Sequence, residues 1–210
     1  MTISINPMQT TNAAGTFGIT WDGLVQGVAL PSPNAHFNLA AGYVAATEVN
    51  PMFGGIGISE NIPLNPASPP LTPDPSLGGS IVRATNISGV GAALSLTGFS
   101  VFNQNYAMIN SPASPVPLAG PSQQVNFYRL GSGARICVAI DPALINLYGQ
   151  IISTQVSWDF TNQRLIAFAT TALPCKVLKV VPSNCMTINF TPGSGVATWN
   201  RNGAAAVILI

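Results

Sequence analysis

Few residues in this chain could do acid–base, nucleophilic or metal chemistry: its 210 residues include one histidine, six carboxylates and three cysteines. General acid–base catalysis needs an imidazole or carboxyl group tuned by a neighbour, and nucleophilic catalysis needs a base beside the attacking atom. His36 lies in the polar, proline-bearing run Pro31-Ser32-Pro33-Asn34-Ala35-His36 with no carboxylate beside it. A surface or interface position is therefore expected, and no catalytic role. The carboxylates never fall as a close pair, so no acid/base dyad is indicated. Asp159 alternates outward beside Trp158, which predicts a cross-strand partnership with Arg164 around a Thr161-Asn162 turn.

Cys137, Cys175 and Cys185 are odd in number and fit no metal-ligand spacing, which predicts buried thiols in a reducing compartment. If the runs around Cys175 and Cys185 form a hairpin centred on Ser183, Cys175 faces Thr191 and Cys185 faces Val181, so the two do not meet. The clusters Gly54-Gly55-Ile56-Gly57, Gly89-Val90-Gly91 and Gly131-Ser132-Gly133 lack the helix opening and Lys-Ser/Thr of a phosphate loop and read as turns. Asn86-Ile87-Ser88 and Asn189-Phe190-Thr191 match the glycosylation pattern, but Met1 to Gly15 has no secretory character, so both read as chance. Trp21, Trp158 and Trp199 could line an aromatic platform for a small molecule or sugar, although core packing explains them more simply. These residues predict no enzyme, no cofactor and no metal site.

The elements that would position these residues are strands. Runs rich in β-branched and aromatic residues follow one another over 79–86, 92–102, 124–130, 134–140, 153–160, 164–170, 175–181, 185–191, 196–200 and 204–210. Val156, Trp158 and Phe160 share one face, as do Met186, Ile188 and Phe190. Gly131-Ser132-Gly133 suits a three-residue hairpin loop and Asn202-Gly203 a type I′ turn, so successive strands are expected to pair antiparallel. One helical segment is predicted from Asp141 as N-cap, through Pro142 at the first helical position, to Tyr148. The expected fold is all-β, an antiparallel β-sandwich or β-barrel.

Ten of the 18 prolines fall in IPLNPASPPLTPDPS (62–76) and SPASPVPLAGPS (111–122), where helix and central strand are excluded. The first run divides the expectation in two: an extended, Pro/Gly-rich amino-terminal arm over 1–76 and a β-body over 77–210. Charge is scarce. Seven basic and six acidic residues make up 6% of the chain, against about 25% in an ordinary soluble domain. The basic residues form no cluster, which excludes nucleic-acid binding as the main function. The stretch 84–128 carries no charge, yet prolines and polar residues interrupt it too often for a membrane span. So little charge implies that much of the surface meets protein. The apolar content of residues 1–60 points to that region as the contact, with Phe17, Trp21, Phe37, Tyr43 and Phe53 as interface anchors.

The run Gly98-Phe99-Ser100-Val101-Phe102-Asn103-Gln104, followed by SPASPVPLAGPSQQVNFYRLGSGARICVAIDPAL and QVSWDFTNQRL, resembles the structural proteins of tailed bacteriophage virions known as head decoration or cement proteins. The similarity spans residues 50 to 210. It implies a small β-barrel or sandwich with an arm, no catalytic residues, and a homo-oligomer (dimer or trimer) bound to the major capsid protein on the capsid surface. Such a subunit is made in the host cytoplasm. Another β-structured virion component, such as a tail, baseplate or receptor-binding subunit, is the alternative.

Overall fold

A computed structural model describes residues 24–30, 32, 35–50, 52–61, 80–84, 96–102, 116–147, 155–191 and 196–210. Over these the chain is all-β, with eleven strands: β1 (Ala29–Leu30), β2 (Leu39–Val44), β3 (Gly57–Asn61), β4 (Ser80–Ala84), β5 (Gly98–Val101), β6 (Gln124–Arg129), β7 (Arg135–Ala139), β8 (Val156–Asp159), β9 (Arg164–Ala167), β10 (Lys176–Phe190) and β11 (Ala197–Leu209). Five of them close a barrel in the order β2-β4-β3-β5-β6, and closure leaves none of the five with an unpaired edge. A four-stranded sheet, β1-β7-β11-β10, and the β8–β9 hairpin complete the molecule.

Alternation decides which side chains fill the barrel. On β6, Val125 and Phe127 point inward to join Val44, Ile58 and Val82 in one core, while Tyr128 points outward. Outside the β5–β6 wall, Phe99 and Tyr128 meet Ile136, Val138 and Ile208 of the sheet and Trp158 of β8 in a second core. Phe99 and Trp158 pack edge to face, with ring centroids 4.9 Å apart. Trp158 is thus a core residue. Trp199 is half-buried and lies 6.1 Å from Phe102, centroid to centroid.

The division into an arm and a body does not hold for the described residues. Within 1–76, segment 24–61 supplies β1, β2 and β3: β1 pairs with β7, and β2 and β3 are two of the five barrel staves. Leu39–Val44 is apolar on both faces, so its sequence shows no alternation, and its partners β4 and β6 lie some 40 and 85 residues downstream, so no local signal marked it. Residues 1–23 and 62–79 lie outside the described residues.

Three local expectations also change. Asn202-Gly203 does not turn: β11 runs straight through it, Gly203 stands opposite Cys185, and glycine is needed there because a Cβ would clash with the Thr187 side chain. Likewise the runs at 175–181 and 185–191 are one continuous strand, bulged between Val181 and Cys185, with Asn184 at φ 60°. Gly131-Ser132-Gly133 joins two strands that do not pair with each other; it carries the chain from barrel to sheet. Among the described strands pairing is antiparallel except for β2 with β4, which is parallel, as are the isolated bridges Val25–Met186 and Ile140–Leu165. The predicted helix is a 3-10 segment, Pro142–Leu147, with Asp141 Oδ1 accepting from the Ala143 N–H at 2.9 Å.

Two buried glutamines tie the modules together. Gln163 Oε1 accepts from Gly57 N of the barrel at 2.8 Å and from Trp158 Nε1 at 3.2 Å, while its Nε2 donates to Phe160 O. Gln26 Oε1 accepts from Ile188 N at 2.8 Å, fixing the 24–30 segment to β10. Among the described residues no helix is long and apolar enough to cross a membrane.

Candidate functional site

Two surface features stand out once the cores are accounted for, an uncovered apolar face and a polar cleft. The first is the outer wall of the barrel at β2 and β4. Leu39, Ala41 and Tyr43 alternate outward on β2, and Ile81 and Arg83 do so on β4. The parallel register sets Tyr43 directly beside Ile81. Tyr43 is 50% exposed, Leu39 43% and Ile81 38%, and Phe37, in the 3-10 turn Ala35–Asn38 that leads into β2, is 82% exposed. Apolar residues gathered in this way, rather than scattered singly, mark an interaction surface.

Of the five predicted anchors, the structure leaves Phe37 and Tyr43 exposed. Phe53 is corrected: it is 3% exposed, packed in the barrel core and edge-on to Phe190 at 5.2 Å, because Ser100 of β5 holds the segment, its Oγ donating to Phe53 O and its carbonyl accepting from Gly55 N. Phe17 and Trp21 lie outside the described residues. Leu39 and Ile81 were missed. Leu39 sits on the same face of β2 as Tyr43, and Ile81 joins them only through a strand pairing across some 38 residues.

The second feature is a cleft of about 400 Å³ where the middle of the β10–β11 hairpin meets the Pro142–Leu147 segment and the β8–β9 turn. Its lining includes Asn162, Asn189, Asn200 and Asn202, together with Arg164 and the apolar Ile145 and Phe190. Arg164 is held between two carboxylates, 2.8 Å from Asp141 Oδ2 and 3.7 Å (through Nε) from Asp159 Oδ2. The expected Asp159–Arg164 partnership is thus present, with Asp141 as a second acceptor that the sequence did not disclose. Partial burial pushes the Asp159 carboxyl up, but hydrogen bonds from Asn162 and Thr161 and the Arg164 charge outweigh it and hold the group below the usual carboxylate range.

Elsewhere the ionisable groups serve structure. Glu60 on β3 accepts two bonds from Arg129, at 2.6 and 2.7 Å, and one from Ser80. The Arg129 bond keeps its carboxyl below the usual range despite burial, and the same pairing raises the guanidinium. The three cysteines are free thiols. Burial pushes Cys175 up to about 12 and Cys137 higher still, which holds both protonated and makes them poor nucleophiles. Cys185 faces Gly203 rather than Val181, since the expected hairpin about Ser183 is a continuous strand. Among the described residues, no three of His, Cys, Asp and Glu gather in a metal-binding group.

No protein family, no curated protein and no solved structure matches this chain. The resemblance to head decoration proteins therefore stands on the sequence phrases that carry it.

Proposed function

We propose that this chain is a non-enzymatic structural subunit of a virus particle, a decoration or cement protein that attaches to the outer capsid surface through the β2–β4 wall of its barrel. The observation that carries this reading is the exposed apolar wall of Leu39, Tyr43 and Ile81 on a chain with only 6% charged residues. A free monomer gains nothing by leaving that wall in water, whereas burying apolar area is worth roughly 25 cal/mol per Å². Exposed ion pairs contribute about 0–1 kcal/mol each, so attachment is carried by burial and survives high salt. The partners are the major capsid protein and further copies of the chain, as a dimer or trimer. A tail, baseplate or receptor-binding subunit is the second reading, and the amide-lined cleft is what favours it.

Imaging particles purified with and without the subunit tests both. Density distributed over the whole head and retained after a high-salt wash supports decoration. Density confined to the tail or one vertex supports the second reading, and density on neither overturns both.

A further inference from the structure

The cleft at the β10–β11 hairpin has a chemistry that the docking face lacks. Its volume of about 400 Å³ falls within the range of small-molecule sites. Three of its four asparagines are fixed at one end of the side chain. Asn162 Nδ2 donates to Asp159 Oδ2 at 2.7 Å, Asn200 Oδ1 accepts from Asn202 N at 3.1 Å, and Asn202 Oδ1 accepts from Asn184 N at 3.2 Å. All three residues line the cleft, and their opposite ends, a carbonyl on Asn162 and amide NH2 groups on Asn200 and Asn202, have no hydrogen-bond partner among the described residues. Asn189 adds both a donor and an acceptor. Because the Asp159 carboxylate holds Asn162 and backbone N–H groups hold Asn200 and Asn202, these three side chains have little freedom left to lose when a ligand binds.

The same lining excludes other ligand classes. The one cation, Arg164, is neutralised by Asp141 and Asp159, so an anion entering the cleft would approach two carboxylates with no spare positive charge. An apolar ligand would cover the amide ends without bonding them, which is costly. Hydroxyl groups both donate and accept, which suits a mixed set of amide donors and acceptors, and Ile145 and Phe190 offer apolar surface for the C–H face of a ring.

We propose that this cleft binds a neutral saccharide, a hexose or N-acetylhexosamine unit. The site is separate from the β2–β4 wall, so the proposal does not depend on the capsid reading. The test is an NMR titration of the 15N-labelled full chain with glucose, galactose, mannose and N-acetylglucosamine in turn, with inorganic phosphate as the counter-probe. The expected result is saturable shifts of the Asn189, Asn200 and Asn202 side-chain amide signals with at least one of the four sugars, and none with phosphate. Asn189→Ala and Asn200→Ala should each weaken that binding about tenfold. Among the described residues the Asn189 side chain makes no hydrogen bond, so its variant keeps the β10–β11 backbone pairing and stays informative if Asn200→Ala perturbs β11. Three outcomes overturn the proposal: no saturable shift with any of the four sugars, equal or larger shifts with phosphate, or unchanged affinity in Asn189→Ala.

Discussion

The barrel has two apolar outer walls, and among the described residues only one is covered. On the β5–β6 side, Phe99, Val101 and Tyr128 point away from the barrel axis and are sealed by the β1-β7-β11-β10 sheet and the β8–β9 hairpin. On the β2–β4 side, Leu39, Tyr43 and Ile81 point outward in the same way and meet no sheet among the described residues. Side-chain character is similar on the two walls, so the difference comes from topology. A sheet laid over one wall turns it into core, while the bare wall keeps the composition of a core and none of its cover. That asymmetry is the physical basis for placing a partner there.

The largest effect expected concerns where the fold begins. Deleting residues 1–60 removes β1, β2 and nearly all of β3, two staves of the five, and the variant should lose the β-signal in far-UV circular dichroism altogether. A stably folded deletion product would show that residues 24–61 are an appendage after all. Next, the two walls should answer differently to truncation. Phe99→Ala opens the covered wall and should cost about 3–5 kcal/mol in denaturant unfolding, whereas Tyr43→Ala should change stability by less than about 0.5 kcal/mol. Equal losses would erase the distinction between the walls.

Gln163→Leu removes the acceptor shared by Gly57 N and Trp158 Nε1 while keeping the bulk, and leaving two buried donors unpaired should cost about 2–3 kcal/mol. A neutral result would mean that the β8–β9 hairpin is not fastened to the barrel through this side chain. The smallest effect is one of pH. The folded-state pKa of Glu60 lies below its ordinary value of 4.5. Its contribution to stability is therefore fully present above the unfolded pKa and is lost as pH falls through the lower folded value. Unfolding curves collected across that acidic window should show a steeper loss in the native chain than in Glu60→Gln, and parallel curves would remove Glu60 from the account.

Strand content was legible because β-branched and aromatic residues cluster and alternate, and most runs from Ser80 onward fall on observed strands. The barrel was not legible as such. Its closure depends on β2 meeting both β4 and β6, and no local pattern encodes a pairing over such separations. Turn chemistry misled at Asn202-Gly203, where glycine is needed for the close approach of Thr187 rather than for a positive-φ turn. The Asp159–Arg164 pair could be read from its short register, but the cleft could not, because its asparagines come from β10, β11 and the β8–β9 turn. Phe53 shows the limit of counting apolar residues: an aromatic ring in a glycine-rich stretch fits an anchor and a core plug equally well until the strands around it are placed.

The most direct test of the central claim is co-sedimentation with capsid shells purified without this subunit, comparing the native chain with the double variant Tyr43→Asp, Ile81→Asp at low and high salt. Both side chains point outward from neighbouring staves, so the variant should keep the native circular dichroism spectrum. The account predicts that the native chain pellets with the shells at both salt concentrations and that the folded double variant stays in the supernatant. Pelleting of the folded variant to the same extent as the native chain would contradict it.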